Sequence, residues 1–201
     1  MRKPPQQQRS RIMVASLVEA GARILSDRGW AGFTTNEVAR VAGASVGSLY
    51  QYFPDKLAIA ESIRQRHLSN VLAALPNPDA QDRAIPIARQ VEHLVDSVLA
   101  VHAVDQRLHR VMLEEVPFAP RARHAAFESA FEQAYHRRYE ALVRAAGCRE
   151  DAALGTAASV LSGALEGLVH GAVRRGAVTC PSVRREATLF ATAYLRARQG
   201  E

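Results

Sequence analysis

Side chains able to form hydrogen bonds are concentrated in one short stretch of the sequence, ASVGSLYQYFPDK at residues 44–56. They are Ser45, Ser48, Tyr50, Gln51 and Tyr52. Hydroxyl and amide groups of these types can bond phosphate oxygens or the edges of nucleic-acid bases. Leu49 and Phe53 are spaced i, i+4, so on a helix they share one side and direct the tyrosines and the glutamine elsewhere. The alternative is that the tyrosines are half-buried packing residues whose hydroxyl groups reach water.

Two short helices joined by a glycine turn are predicted to hold this stretch. One begins at Thr34, where the sequence TTNE forms a capping box: the Thr34 hydroxyl accepts from the Glu37 amide while the Glu37 side chain reaches back. It ends at Gly43, because glycine takes the positive φ that a tight turn between helices requires. The next helix is capped by Ser45 and closed at Pro54, because the residue before a proline is pushed out of the helical region.

The segment of residues 34–53 fits a helix-turn-helix motif, with Val38, Leu49 and Phe53 as its apolar plug. So short a pair of helices buries too little surface alone. A helix over residues 10–28 is therefore predicted to pack behind it. In such a motif the N-terminal half and the outward side chains of the second helix can enter the major groove of DNA.

The whole chain is predicted to be all-α, because apolar residues recur at 3,4 spacing almost throughout and no segment alternates as a strand does. The first helix is expected to stop at Gly29. The helices expected beyond the motif cover residues 55–75, 82–102, 105–115, 121–146, 151–175 and 182–198. PNPD at residues 76–79 breaks the chain and is the candidate boundary between two functional halves.

The composition limits the class of protein. A chain of 201 residues with 48% hydrophobic residues can bury a proper core. The formal net charge is +6, and most of the positive charge lies in residues 1–56. This charge suits an anionic partner such as nucleic acid; the alternative is that it only keeps the protein soluble.

The sequence has no long apolar run and no signal-peptide core, so we expect a cytoplasmic protein that makes no contact with membranes. Cys148 and Cys180 lack the spacing of a zinc site, so unpaired thiols are expected and no cofactor is predicted.

Residues 32–63, GFTTNEVARVAGASVGSLYQYFPDKLAIAESI, resemble the DNA-binding domain of the TetR family of one-component bacterial repressors. The resemblance covers residues 10–63 residue by residue, through the pattern TT…VA…AG…GSLY.YF..K, and the rest of the chain in its all-helical layout. It implies a homodimer that binds adjacent major grooves of a palindromic operator, and a small-molecule effector that releases the DNA. The domains are accordingly expected to be a helix-turn-helix DNA-binding domain over residues 1–56 and a larger helical effector-binding and dimerisation domain over residues 57–201. DNA binding would place the protein at the nucleoid.

The family's DNA contacts fall on the start of the second helix, on the third helix and on the lysine after it. They are Thr34, Thr35, Ser45, Val46, Gly47, Ser48, Tyr50, Gln51, Tyr52 and Lys56. The phosphate contacts among them are expected to be Thr34, Tyr50, Tyr52 and Lys56. Many relatives carry lysine in place of Val46, and residues 44–54 hold no charge. Guanine reading by Lys or Arg from this helix is therefore excluded, which leaves Gln51 for adenine and Val46 for the thymine methyl group. An N-terminal arm that can add DNA contacts, or be a disordered tail, contains Lys3, Arg9 and Arg11.

A row of small residues marks the predicted helix over residues 151–175. Gly155, Ser159, Gly163, Gly167 and Gly171 recur at i+4 spacing. Each interior glycine costs a helix about 1 kcal/mol relative to alanine, so the row calls for the close approach of another helix. The resemblance implies dimerisation through the last two helices, which adds Phe190 and Tyr194 to the predicted interface. Packing within one chain only, or a broken helix, are the alternatives.

An effector pocket is expected between the helices of the middle segment. Its candidate lining is Leu94, Val98, His102, His109, Met112, Phe127, Phe131, Tyr135, Leu161 and Glu166. For each of these taken singly, ordinary core is the alternative. The aromatic residues favour an apolar or aromatic effector, with a histidine or Glu166 orienting one polar group. Glu166 and His170 at i, i+4 can also join His102 or His109 in a metal or proton-linked site, but surface ion pairs explain them more simply and no metal is predicted.

A ligand-controlled DNA-binding repressor is the function that these features predict. An all-α enzyme is one alternative, but the sequence has no GxSxG, glycine-rich phosphate loop, HExxH or paired carboxylates, so no enzymatic activity is predicted. A DNA-binding architectural protein without a ligand is the other alternative. A solid rather than hollow C-terminal core would favour it.

Overall fold

The computed structural model describes residues 5–77, 85–118, 125–148 and 151–198, and every regular element in these ranges is an α-helix. The helices are α1 (Pro5–Gly32), α2 (Thr35–Ala42), α3 (Val46–Tyr50), α4 (Lys56–Ala74), α5 (Ile87–Ala103), α6 (Gln106–Glu114), α7 (Ala125–Ala145), α8 (Asp151–Arg174) and α9 (Pro181–Ala197). The all-α prediction is confirmed. None of the described helices is both long enough and apolar enough to cross a membrane.

The largest departure from the predicted boundaries is at the N-terminus. α1 begins at Pro5 instead of residue 10, and Gly29 interrupts it with φ 68° and ψ −176° before helical backbone resumes. Arg9 and Arg11 consequently lie on α1 rather than in an arm, because the helix extends one to two turns further than its apolar pattern. Lys3 and residue 121, the predicted start of a later helix, fall outside the described residues. The helix predicted over residues 82–102 begins instead at Ile87, directly after Pro86.

The chain packs as two compact units. The N-terminal unit comprises Met1–His67 and Arg107–Pro120, and the C-terminal unit comprises Leu68–Gln106 and Arg121–Glu201. α4 is one continuous helix that contributes residues to both. The boundaries drawn from the sequence, after residue 56 and within PNPD, remain predictions about which residues serve DNA and which serve an effector.

The core of the N-terminal unit combines helices that are distant in sequence. Its buried members include Leu17, Leu25, Phe33, Val38, Leu49, Phe53, Ile59, Ile63, Val111 and Met112. The last two come from α6, whose packing in this core the sequence did not predict. Burying one large apolar side chain contributes about 1.5–3 kcal/mol, so this shared core, rather than α2 and α3 alone, holds the helix-turn-helix together.

The C-terminal unit is organised around α8. α7 and α9 pack against α8, and α5 packs against α7, α8 and α9. Among the described residues the glycines with positive φ are Gly29, Gly43, Gly147 and Gly176, none of which lies in α8. The small-residue row therefore sits on an unbroken helix, and the broken-helix alternative is wrong.

Candidate nucleic-acid interface

Local sequence signals fix both ends of α2 and the start of α3. The Thr34 hydroxyl accepts a hydrogen bond from the Glu37 backbone N–H at 3.3 Å, and the Ser45 hydroxyl accepts one from the Ser48 N–H at 3.0 Å. Both predicted N-caps are therefore present. Gly43 has φ 68° and ψ 28°, and its N–H bonds back to carbonyls of the last turn of α2. The predicted glycine turn between the two helices is confirmed.

The buried side of the pair is the predicted apolar plug. Val38 and Leu49 are fully buried, and Phe53 keeps only 6% of its exposure. α3 is shorter than predicted: it ends at Tyr50, and a turn follows before Pro54. Because Leu49 and Phe53 are buried, Tyr50 and Gln51 are left exposed to solvent.

None of the predicted DNA contacts is buried. The exposed ones are Thr34, Ser45, Val46, Gly47, Tyr50 and Gln51, and the half-buried ones are Thr35, Ser48, Tyr52 and Lys56. Tyr50 keeps 52% and Val46 37% of its exposure. Because residues 44–54 contain no charge, the side chains of α3 offer hydroxyl, amide and methyl groups to a partner.

Contacts between side chains hold this face in one arrangement. Thr35 Oγ1 and Tyr50 OH lie 3.1 Å apart, which links the start of α2 to the end of α3. The hydroxyl oxygens of Ser45 and Ser48 lie 2.8 Å apart. Each hydroxyl in such a pair keeps hydrogen-bonding capacity for a phosphate oxygen or a base. Because these side chains are already ordered, less conformational entropy is lost when a partner binds.

Tyr52 differs from the sequence prediction. Its half-buried ring packs against the core of the N-terminal unit, and its hydroxyl oxygen lies 3.2 Å from Ser10 Oγ on α1. The reason is the early end of α3: the turn after Tyr50 directs the next tyrosine toward α1. This packing favours the alternative interpretation of Tyr52 as a packing residue with a polar tip, its predicted phosphate contact stays a prediction, and Tyr50 is the exposed tyrosine.

The Glu37 side chain does not complete the predicted capping box. Its carboxylate accepts a hydrogen bond from Arg40 at 2.6 Å and pairs with Arg28 at 2.8 Å. The bond from Arg40 and the charges of both arginines lower the pKa of Glu37 from 4.5 to about 2. A guanidinium group binds a carboxylate more strongly than a backbone N–H does, which explains why Glu37 does not reach back to Thr34.

Lys56 is held against Trp30, a residue that the sequence analysis did not single out. Lys56 Nζ donates to the Trp30 carbonyl oxygen at 3.2 Å and lies 4.0 Å from the centre of the indole ring. The indole stacks on Phe33 with ring centroids 5.7 Å apart. An ammonium group is attracted to the face of an indole ring, so these contacts fix the charge at the start of α4. The only signal in the sequence is that the chain's single tryptophan follows the predicted helix stop.

The residues predicted to line an effector pocket are divided between the two units. His109 and Met112 belong to the N-terminal unit, where Met112 is part of the core. In the C-terminal unit, the buried ones are Leu94, Val98, His102 and Leu161, the half-buried ones are Phe127, Phe131 and Tyr135, and Glu166 is exposed. A cleft between α5 and α7 is partly open to solvent, has a cavity volume of about 10 Å³, and is lined by Pro76, Gln90, Leu94, Arg138 and Leu142.

An aromatic row runs along α7. Successive ring centroids of Phe127, Phe131, Tyr135 and Tyr139 lie 6.5, 5.4 and 5.0 Å apart. The hydroxyl oxygens of the two tyrosines lie 3.2 Å apart. Burial raises the pKa of Tyr135 to about 12 and that of Tyr139 well above its ordinary value, so both remain neutral. The row thus offers apolar surface that ends in neutral hydroxyl groups.

A histidine of α5 and a histidine of α8 lie close to each other in the C-terminal unit. His102 Nδ1 donates to the Val98 carbonyl oxygen at 2.7 Å, and its ring centroid lies 5.8 Å from that of His170. Burial lowers the pKa of both histidines. His170 Nδ1 lies 3.8 Å from a Glu166 carboxylate oxygen. The expected i, i+4 proximity of Glu166 and His170 is confirmed.

The small-residue row on α8 faces open space at its centre. Apart from the backbone of α8 itself, no atom of the described residues lies within 4 Å of the position where a Cβ would stand at Gly163 or Gly167. At the ends of the row, the Cβ position of Gly155 is 3.9 Å from His136, and that of Gly171 is 3.3 Å from Arg175. Packing within one chain therefore does not explain the two central glycines.

Exposed apolar side chains accompany this row on α8 and α9. Val160, Leu189 and Phe190 keep 47%, 60% and 38% of their exposure. Tyr194 is half-buried and donates to the Ala157 carbonyl oxygen at 3.4 Å, so it links α9 to α8 within the protomer. Phe190 stacks on Tyr194 with centroids 6.2 Å apart.

The fold and this surface define a helix-turn-helix DNA-binding regulator. Residues 17–63 match the family described as bacterial regulatory proteins, tetR family, and residues 86–195 match the tetracyclin repressor-like C-terminal domain. The chain belongs to the TetR family of transcriptional regulators. Comparison with curated proteins gives no match.

Solved structures of bacterial regulators share this fold over nearly the whole chain. The fatty acid degradation regulator FadR from Bacillus halodurans is 15% identical, with a TM-score of 0.66 and 97% of each chain covered. A transcriptional regulator from Rhodococcus sp. RHA1 is 20% identical, with a TM-score of 0.69 over 92% of this chain and 96% of that one. The regulator PfmR from Thermus thermophilus is 15% identical, with a TM-score of 0.63 over 90% and 94%. At these identities the likeness shows the fold alone.

Proposed function

We propose that the protein is a ligand-responsive transcriptional repressor that binds a palindromic operator as a homodimer and releases it when an effector binds the C-terminal unit. The observation that carries the proposal is the set of ordered, exposed hydroxyl and amide groups at the start of α2 and around α3, where Thr35 is linked to Tyr50 beside Gln51. Its site of action is the cytoplasm, at the nucleoid.

Sequence reading on this surface depends on Gln51 and Val46. A glutamine amide can bond N6 and N7 of adenine in the major groove, and apolar groups contact the thymine methyl. The lack of charge in residues 44–54 leaves α3 without the bidentate Lys or Arg that reads guanine. The Gln51 amide therefore suits adenine and the Val46 methyl groups suit thymine, while Tyr50, Thr34 and Lys56 hold the phosphates.

The open row on α8 supports the homodimer. Gly163 and Gly167 leave room for a second helix to approach closely, and Val160, Leu189 and Phe190 supply exposed apolar surface around them. A second copy of the chain, related by two-fold symmetry, brings the same surface to meet it. The two helix-turn-helix motifs then reach two half-sites of an inverted repeat.

The aromatic row of α7 supports an apolar or aromatic effector with one polar group. Phe127 and Phe131 offer ring surface, and the neutral hydroxyls of Tyr135 and Tyr139 can orient a polar substituent. An effector that binds the released form better than the DNA-bound form weakens operator affinity by the same factor, and typical couplings of about 1–3 kcal/mol correspond to roughly 5- to 150-fold.

A DNA-binding architectural protein without a ligand is the second candidate. The cleft lined by Gln90 and Leu94 has a cavity volume of about 10 Å³, which is room for about one water molecule and far below the size of typical ligand pockets. On this alternative DNA affinity is independent of any small molecule.

Recovery of bound DNA tests the proposal. Purified protein is mixed with genomic fragments, the retained fragments are sequenced, and aromatic and lipophilic compounds are then titrated against the preformed complex. Enrichment of fragments sharing an inverted repeat, with release by a compound that binds the free protein, supports the ligand-responsive repressor. Enrichment with no compound that both binds and releases DNA favours the architectural protein. Retention of fragments that share no sequence contradicts the proposals that the protein binds a specific operator and acts as a repressor.

The same selection is repeated with two variants. Gln51→Ala should retain fragments with a different sequence preference, whereas Gln133→Ala on α7, the matched control, should retain the same fragments as the natural protein.

A further inference from the structure

Trp30 makes contacts with two helices of the N-terminal unit through its backbone and its ring. Its N–H donates to Glu115 Oε2 at 2.8 Å, directly after the end of α6. Its carbonyl oxygen accepts from Lys56 Nζ at 3.2 Å at the start of α4, and the same ammonium group lies over the indole ring. One residue thus joins the carboxylate after α6 to the cation beside the helix-turn-helix.

Gly29 makes the contact with Glu115 possible. In an uninterrupted helix the Trp30 N–H would bond to the carbonyl four residues earlier, but the positive φ of Gly29 turns it out of the helix. A Cβ at position 29 would stand 2.6 Å from Glu115 Oε2, so only glycine allows the carboxylate to approach. The positive φ of Gly29 and its lack of a side chain both allow the hydrogen bond from the Trp30 N–H to Glu115.

A second bond from α6 supports the end of the first part of α1. Arg107 Nη2 donates to the Asp27 carbonyl oxygen at 2.7 Å, while Glu115 binds on the other side of Gly29. The two contacts span 80 and 85 positions in the sequence. Arg107 near the start of α6 and Glu115 directly after its end therefore bind the chain on either side of Gly29.

We propose that Glu115 is a positioning residue for Lys56: acting through Trp30, it fixes the ammonium group where it meets a DNA phosphate, and α6 thereby sets the strength of that contact. The inference rests on the proposed function, because it takes Lys56 as a phosphate contact. Glu115 itself does not touch DNA. Its carboxylate holds the Trp30 backbone, and the Trp30 carbonyl and ring hold Lys56.

Long-range electrostatics alone predict the opposite result, a higher DNA affinity when the Glu115 carboxylate is removed. The direction of the change in affinity therefore separates the two explanations. Removing a carboxylate from a DNA-binding unit raises its affinity for phosphates when only long-range electrostatics act. Glu114→Ala removes a neighbouring carboxylate and changes the net charge by the same amount, so it is the matched control. We expect Glu114→Ala to leave operator affinity unchanged or raise it. We expect Glu115→Ala to lower affinity by roughly 3- to 10-fold, the size of one partly exposed charge-assisted hydrogen bond.

The experiment measures operator binding of the full-length protein over a series of salt concentrations, for the natural sequence, Glu115→Ala, Glu115→Gln, Lys56→Met and the double variant Glu115→Ala/Lys56→Met. Glu115→Gln keeps an oxygen acceptor and should retain most of the affinity. Glu115→Ala and Lys56→Met should each reduce the salt slope by about one phosphate contact. In the Lys56→Met background the second change should have no further effect.

Fluorescence of the single tryptophan supplies an independent readout. The emission of Trp30 should change in Glu115→Ala and Lys56→Met and not in Glu114→Ala. Equal operator affinity of Glu115→Ala and the natural protein, or fully additive effects of Glu115→Ala and Lys56→Met, overturns the inference while leaving the proposed function in place. Failure of the natural protein to bind any inverted repeat overturns the proposed function instead. If Glu115→Ala melts at a lower temperature, the binding measurements are made at a temperature at which every variant is folded, and the same criteria apply.

Discussion

The Thr35 hydroxyl at the first residue of α2 lies 3.1 Å from the Tyr50 hydroxyl at the last residue of α3. This contact closes the helix-turn-helix on the side opposite its buried plug. It places two of the predicted DNA contacts in a fixed mutual position before any DNA binds, which favours a surface built for one docking geometry.

Tyr50→Phe is expected to weaken binding to specific and unrelated duplexes alike. The change removes the hydroxyl that contacts Thr35 and that can bond a phosphate, but keeps the exposed ring. One such bond corresponds to about 1 kcal/mol, or a roughly 5-fold loss. Gel-shift titration on an operator and on a scrambled duplex measures it. A loss confined to the operator would show that Tyr50 reads bases instead of phosphates.

Gln51→Ala is expected to relax sequence preference at one base pair of each half-site. Its exposed amide, directly after the end of α3, is suited to adenine, and loss of one bidentate contact corresponds to about 1–3 kcal/mol of discrimination. Competition among operators substituted at every position measures the effect. A uniform loss at all positions would contradict the assignment of Gln51 as a base-reading residue.

Gly163→Leu or Gly167→Leu is expected to yield monomers that fail on a full operator. Each position faces open space in the protomer, so the leucine obstructs a partner helix but no neighbour in its own chain. Leucine also favours a helix by roughly 0.5–1 kcal/mol over glycine, so the protomer should melt no earlier. Sedimentation gives the mass, and Arg137→Leu on the exposed side of α7 is the control. An unchanged dimer refutes the interface.

The contribution of Glu37 to stability is expected to depend on pH. Its pKa is about 2 in the folded protein, chiefly because of the hydrogen bond from Arg40, against an ordinary value of 4.5. Because the folded pKa is the lower one, the stabilisation is complete above about pH 4.5 and is lost as the pH falls toward 2. Urea unfolding of the natural protein and Glu37→Gln should therefore differ at pH 6 and converge near pH 2. A difference that is constant over this range contradicts the assignment.

Local signals in the sequence predicted the helix-turn-helix well. Thr34 and Ser45 cap helices, Gly43 takes positive φ and Leu49 is buried, because each of these features depends on neighbours within a few residues. The DNA-contact residues follow from the same pattern, and their exposure agrees with it. Their contacts with DNA remain predictions.

Features that depend on distant residues were not predicted. The contact between Tyr52 and Ser10 spans 42 positions, and the contact between Trp30 and Glu115 spans 85. No periodicity or local motif reports which helix packs behind another at such separations. The same limit applies to α6 and the residues after it, because Val111, Met112 and Val116 complete a core otherwise built from the first 63 residues of the chain.

A hydroxyl-radical footprint of the natural protein on a retained genomic fragment tests the central claim most directly. A homodimer that presents two α3 helices should protect an inverted repeat, with half-sites centred roughly one helical turn of about 34–36 Å apart or somewhat more, and protection should fall steeply with salt. The base pair at which Gln51→Ala relaxes sequence preference should lie within each protected half-site. A footprint without two-fold symmetry, or protection that is independent of sequence, would contradict the account.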